Sequence, residues 1–210
     1  MSGTGRWLGL ACLAGAANLA LAQRAGEGLE VEAPMVCMRG PDTTFTARVT
    51  LPTSAATGAT FPVRIDSLPS GRLEHLGLFS IHDMTTDFLL PAGTRYVEGS
   101  ARVVPGTGTV NVRAGARAWR DDAGLHLALP AHVENGSSYT PPSLEFAVRV
   151  EAPPGTEVPL QFLHYAVQAD AFLVGTVATS CDPRPSPATL ATVRVVGRSG
   201  GWGLDGGGGP

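Results

Sequence analysis

Lysine is missing altogether: every one of the 15 cationic side chains is arginine. That bias fits the codon usage of a GC-rich genome better than a phosphate-binding role, which would want its arginines gathered on one face. Charge of either sign is scarce, at 16% of residues with a formal net charge of −3. So small an imbalance gives no reason to expect nucleic acid or an anionic membrane as a partner. Beyond residue 22 no long apolar run occurs, so no transmembrane anchor is expected in the remainder.

Reactive constellations are also missing. The histidines, His75, His82, His126, His132 and His164, lack the paired spacing of a zinc helix, and no Gly-x-Ser-x-Gly turn is present. His82 and Asp83 are adjacent, which on a regular strand sends them to opposite faces. Asp121 and Asp122 read as turn formers rather than as a carboxylate pair for acid–base work. Asp83, Asp87 and Glu98 lack the loop spacing of calcium ligands. Asn135, Gly136 and Ser137 match a glycosylation acceptor, which matters only in a host that glycosylates. No catalytic residue, metal ligand or cofactor is assigned, and the chain is not expected to be an enzyme.

What is present begins with a leader. Arg6 supplies a positive start, residues 7–21 (WLGLACLAGAANLAL) an apolar stretch, and Ala20, Leu21 and Ala22 a small-x-small cleavage site. The stretch is shorter than the ~20 residues a membrane helix needs, and Asn18 interrupts it. A lipid anchor at Cys12 is disfavoured, because Gly9 stands where a branched apolar residue is expected. Residues 1–22 are therefore read as a signal peptide, with Gln23 first in the mature chain and a secreted or cell-envelope location. Cys12 leaves with the leader. The remaining pair, Cys37 and Cys181, is most simply a disulfide in an exported protein.

Residues 23–34 are acidic and aperiodic and are read as flexible, and residues 197–210 (GRSGGWGLDGGGGP) as a disordered Gly-rich tail. Between them, residues 35–196 alternate apolar and polar with period two. The clearest strands are Thr43–Leu51, Thr60–Asp66 and Leu144–Val150. Further β-type runs are Leu76–Asp83, Thr86–Leu90, Tyr96–Val104, Thr109–Arg120, Leu125–Leu129, Pro159–Gln168, Ala171–Thr179 and Thr189–Val196. Pro- and Gly-rich joints separate them. The pattern predicts an all-β fold, a two-sheet antiparallel β-sandwich, with the disulfide pinning a terminal strand.

One hairpin has two possible registers. A turn over Asp121–Gly124 with Asp121 closing against Leu125 sets Trp119 opposite Leu127, in the core. A four-residue loop closing Arg120 against Leu125 sets Trp119 opposite His126, sharing an outer face with Arg113 and Arg117 as a sugar or anion platform. Asp at the first turn position and Gly at the fourth favour the first register. His164, Tyr165, Gln168 and Asp170 form a denser polar group, read first as a structural cluster and second as a ligand-pocket lining.

Two segments carry a resemblance. Residues 87–100 (DFLLPAGTRYVEGS) resemble the strand–turn–strand of immunoglobulin-like repeat modules on bacterial surfaces. Thr179 to Pro183 followed by Ala188 to Val193 is similar to the close of uncharacterised secreted β-sandwich proteins of actinobacteria, whose early cysteine Cys37 matches. The resemblance covers Cys37 to Val195 and implies an immunoglobulin-like sandwich with an envelope address. It carries no catalytic residues. The function expected is binding or scaffolding by a secreted or envelope-associated module, with an envelope component or a small apolar ligand as partner. One alternative is a carrier holding a lipid-like ligand between the sheets, which requires an apolar cavity of several hundred cubic ångströms. The other is an enzyme, which would require His164 and Asp170 to meet another acid in an open cleft.

Overall fold

The computed structural model describes residues 28–69, 72–105, 107–109 and 116–197. The expected signal peptide, residues 198–210 of the expected tail, and Arg113 lie outside these. No helix occurs among the described residues, and so none long and apolar enough to cross a membrane. The chain forms the expected antiparallel β-sandwich.

One layer is built from β2 (Thr43–Thr50), β4 (Thr60–Ser67) and β10 (Leu144–Val150), paired antiparallel in the order β2-β4-β10. Short strands β6 (Thr94–Tyr96) and β7 (Arg102–Val103) finish the β10 edge. The second layer runs β8 (Arg117–Asp121), β9 (Gly124–Glu134), β5 (Leu78–Leu89) and β11 (Glu157–Ala171). Along the far edge of β11 lie β12 (Gly175–Pro183) and then β13 (Ala188–Val196), end to end.

Alternation places the core as the pattern demands. Ala47 and Val49 of β2, Val63 and Ile65 of β4, and Phe146 and Val148 of β10 are buried from one side. Met84, Phe88, Leu125, Leu129, Leu160 and Phe162 meet them from the other. Phe45 joins the two layers, stacked on Phe162 at 4.4 Å between ring centroids and edge-on to Phe88. Such ring pairs contribute about 0.5–1.5 kcal/mol beyond the area they bury.

The segment expected to be flexible up to Pro34 is instead a strand throughout its second half. β1 (Leu29–Cys37) pairs with β2 through Met35 and with β12 from Met35 to Cys37. Leu29, Val31, Ala33 and Met35 alternate there with Glu30, Glu32 and Pro34, and pairing first with β2 and then with β12 holds the strand. The two layers are thus one hydrogen-bonded sheet folded over, and β3 (Ser54–Ala56) adds a second joint by pairing in parallel with β13. Cys37 and Cys181 face each other across the β1–β12 ladder and form the expected disulfide, 144 residues apart in sequence. Its partner strand is the penultimate one rather than the last.

A crosslink closing so long a loop stabilises by about 5 kcal/mol at most, chiefly by restricting the unfolded chain. The Cys37→Ser/Cys181→Ser double variant is therefore expected to unfold at distinctly lower denaturant concentration. An unchanged midpoint in urea would show that the ladder alone holds the seam.

Candidate functional site

The outer face of the second layer carries a continuous polar row across five strands. Cross-strand register sets Trp119 of β8 opposite His126 of β9, His126 opposite Asp87 of β5, and Asp87 opposite His164 of β11. His164 then bonds Asp182 of β12 at 2.7 Å through Nδ1. Each residue follows from alternation: Leu125, Leu127 and Leu129 take the inward positions of β9, leaving His126 outward.

His126 is held at both ring nitrogens, Nδ1 by Asp87 at 2.9 Å and Nε2 by Asp121 at 2.8 Å. Burial alone would lower its pKa, but the hydrogen bonds and charges of Asp121 and Asp87 outweigh it and the value is raised above 6.5. Asp121 is lowered in turn, first by His126 and then by the Ala123 amide. Trp119 stacks on the imidazole with centroids 5.1 Å apart, and the Arg117 guanidinium sits 4.7 Å from the indole centroid.

This outcome reverses the favoured hairpin register: Trp119 is opposite His126, not Leu127, and Ala118 is the residue facing Leu127. The turn is tighter than either expectation, with Asp121 paired to Gly124 and only two residues between. Asp121 accepts the Ala123 amide at 2.8 Å, closing the turn by its side chain. Gly124 has φ +150, and a Cβ there would stand 2.4 Å from the Phe88 carbonyl oxygen. Backbone proximity, rather than the fourth position of a type I turn, explains this glycine. Arg117, Trp119 and His126 therefore do share an outer face.

The polar group in β11 is split. His164, Gln168 and Asp170 alternate outward, whereas Tyr165 turns between the layers. Asp170 accepts from Ser80 Oγ at 2.8 Å and Thr176 Oγ1 at 2.6 Å, which lowers its pKa, Thr176 first. It stands 3.5 Å from His82 Nε2 and does not meet His164. His82 and Asp83 do touch, at 2.8 Å, because Asp83 (φ +52) lies in a β-bulge, where Asp83 and Met84 stand opposite Val167 alone. Regular alternation fails there. No group of three or more His, Cys, Asp or Glu side chains among the described residues is arranged to hold a metal ion. On the first layer, Arg48, Arg64 and Arg102 each bind carboxylates, Glu30, Asp66 and Glu145 among them.

Between the layers a cavity of about 110 Å3 is lined by Phe45, Phe88, Leu127, Tyr139, Leu144 and Tyr165, among others. The Tyr165 hydroxyl is buried there and has no partner in hydrogen-bond geometry among the described residues. Burial raises its pKa well above 10, and the neighbouring Tyr139 phenol raises it further.

No protein-family model matches the chain, and no curated protein matches it. Among solved structures it is similar to a Corynebacterium diphtheriae protein described as membrane anchored, at 13% identity and TM-score 0.46. That likeness covers 80% of this chain, which spans only 37% of the other. A cohesin module of a family 33 glycoside hydrolase from Clostridium perfringens is similar at 11% identity and TM-score 0.34, over 72% of this chain and 96% of that one. With TM-scores this low, neither likeness says what the chain does.

Two measurements follow from the hairpin. Gly124→Ala is expected to lose about 2 kcal/mol or more in urea denaturation, since both φ and the Phe88 carbonyl oppose a methyl group. A loss near zero would contradict the tight turn. With Trp7 and Trp202 replaced by Phe, Trp119 fluorescence should rise between about pH 5 and about pH 9 as the quenching imidazolium deprotonates. Its midpoint should lie above 6.5, the ordinary histidine value, and fall in Asp121→Asn. Because the folded pKa is raised, the His126 contribution to stability is full below 6.5 and lost as pH rises through the folded value. A midpoint below 6.5 contradicts the double clamp.

Proposed function

We propose that the protein is an exported or envelope-associated β-sandwich module that acts by binding, through the outer face of its second layer. The observation that carries this is the Arg117–Trp119 pair, set on the His126–Asp87 row. Arg117 is exposed at that face, and the indole is fixed by stacking rather than free to move. A rigid aromatic with a cation beside it offers contact area and a charge at low entropic cost. The disulfide supports an oxidising compartment, as does the leader-like start of the sequence.

The lipid-carrier reading loses support, because a cavity of about 110 Å3 falls short of the ~300–1,000 Å3 usual for ligand sites. Nor does the arrangement favour hydrolysis. Nucleophile activation needs an imidazole on the hydroxyl, whereas Ser80 and His82 both address Asp170.

The test is co-sedimentation of the secreted protein with delipidated envelope material from the native host. Wild type should sediment, Arg117→Ser/Trp119→Ala should remain in solution, and the mature chain should begin at Gln23. Equal sedimentation of both would remove the face from the proposal, and none by wild type would end it.

A further inference from the structure

One end of the sandwich is apolar and uncovered. Phe172, Leu173 and Val174 form the turn between β11 and β12, although their apolar character had placed them in a strand from Ala171 onward. Leu76 and Phe79 lie beside them at the start of β5. Leu76 is 100% exposed and Leu173 89%, and Phe79, Phe172 and Val174 are each more than half exposed. The group is held in shape. The Phe172 amide donates to the Gly77 carbonyl at 2.7 Å, and the Phe79 and Phe172 rings meet edge to face with centroids 6.1 Å apart. Leu173 has φ +74, a left-handed position that suits Gly or Asn, yet a branched apolar side chain stands there at the apex. From Leu76 to Phe79 and from Phe172 to Gly175 there is no charged or hydrogen-bonding side chain.

We propose that this tip docks on a lipid bilayer, its apolar side chains entering the interface between headgroups and acyl chains. Shape and area favour that occupant over a protein. The two turns offer eight residues, whereas a stable protein interface uses about 20–30 on each side. Being the apices of adjacent turns they are convex, and two convex copies cover little of each other. A bilayer needs no matching surface and accepts a tip with no charge to desolvate. The flanks carry both signs, with Arg72 against Glu74, and Asp83 and Glu134 near His82 and His132. Docking is therefore driven by the apolar side chains and not by anionic lipid.

The described chain begins and ends at the other end of the sandwich. Along β12 the register runs from Gly175 at the tip to Cys181 opposite Cys37, so β1 begins at Leu29, further away still. β13 ends beyond Arg194, which pairs with Glu157 at the far end of β11. Leu29 and Val196 thus both lie away from the docking side chains.

Co-sedimentation of the secreted protein with vesicles of phosphatidylcholine, alone or mixed with phosphatidylglycerol, tests this. Wild type should bind both alike and hold in high salt. Phe172→Ser/Leu173→Asn, whose asparagine suits the left-handed position, should bind about tenfold less or weaker with its melting temperature kept. Leu29→Ser, an exposed apolar residue at the other end, should bind as wild type, and so should Arg117→Ser/Trp119→Ala, which separates this result from the binding face proposed above. Absence of vesicle binding, binding that requires phosphatidylglycerol, or an unaffected tip variant would overturn the proposal. So would a dimer in sedimentation analysis that the tip variant dissolves, since a second copy would then be the occupant.

Discussion

Within nine residues the strand Leu29–Cys37 passes from one layer of the sandwich to the other, and the rest of the architecture hangs on that passage. Its early residues complete the ladder with β2, and its last three open a new ladder with β12. Two sheets packed face to face would each expose edges there. Sharing a strand removes them, and satisfies backbone groups that would otherwise need water or a covering loop. The disulfide sits just past the point where the strand changes partners, on a ladder of only three residue pairs.

The second layer solves a different problem on its outer face. Histidine at an outward position of a central strand is half withdrawn from water, which by itself disfavours charge. Carboxylates on both sides of His126 reverse that balance, and the indole of Trp119 covers the ring. Fixing both ring nitrogens also fixes the ring plane, so the stacked Trp119 inherits an orientation. Rigidity at this face is thus electrostatic in origin, and a change of protonation at one imidazole reaches the aromatic beside it.

Much of the fold was legible because alternation is a direct imprint of burial. Leu144–Val150 was read to the residue, and Thr43–Leu51 to within one. β1 carries the same alternation, Leu29, Val31, Ala33 and Met35 against Glu30, Glu32 and Pro34, but its acidic, Gly-flanked composition reads as a leader, and long-range pairing supplies its stability. The tip was misread for the opposite reason: Phe172, Leu173 and Val174 have strand-like composition but occupy a turn. At the candidate site, the grouping of Arg117, Trp119 and His126 was visible as one of two registers. Local turn chemistry favoured the wrong one, because it could not register the Phe88 carbonyl behind Gly124 or the second carboxylate awaiting His126. The His82–Asp83 contact needed a bulge that no pattern in the neighbouring residues announces. Tyr165 was grouped with its sequence neighbours, yet β11 sends it to the opposite face from His164 and Asp170.

The covalent link between Cys37 and Cys181 has a mechanical meaning. Tension applied to the two ends of the described chain would run from Leu29 to Cys37, cross the sulfurs, and continue from Cys181 to Val196. Everything between the cysteines is a closed loop beside the line of force. Pulling could peel β1 and β13 from their neighbours, but it could not stretch the hairpins that carry Trp119, His126 and the apolar tip. A domain wired this way carries tension between its described ends without stretching the segments that bear its outward-facing residues.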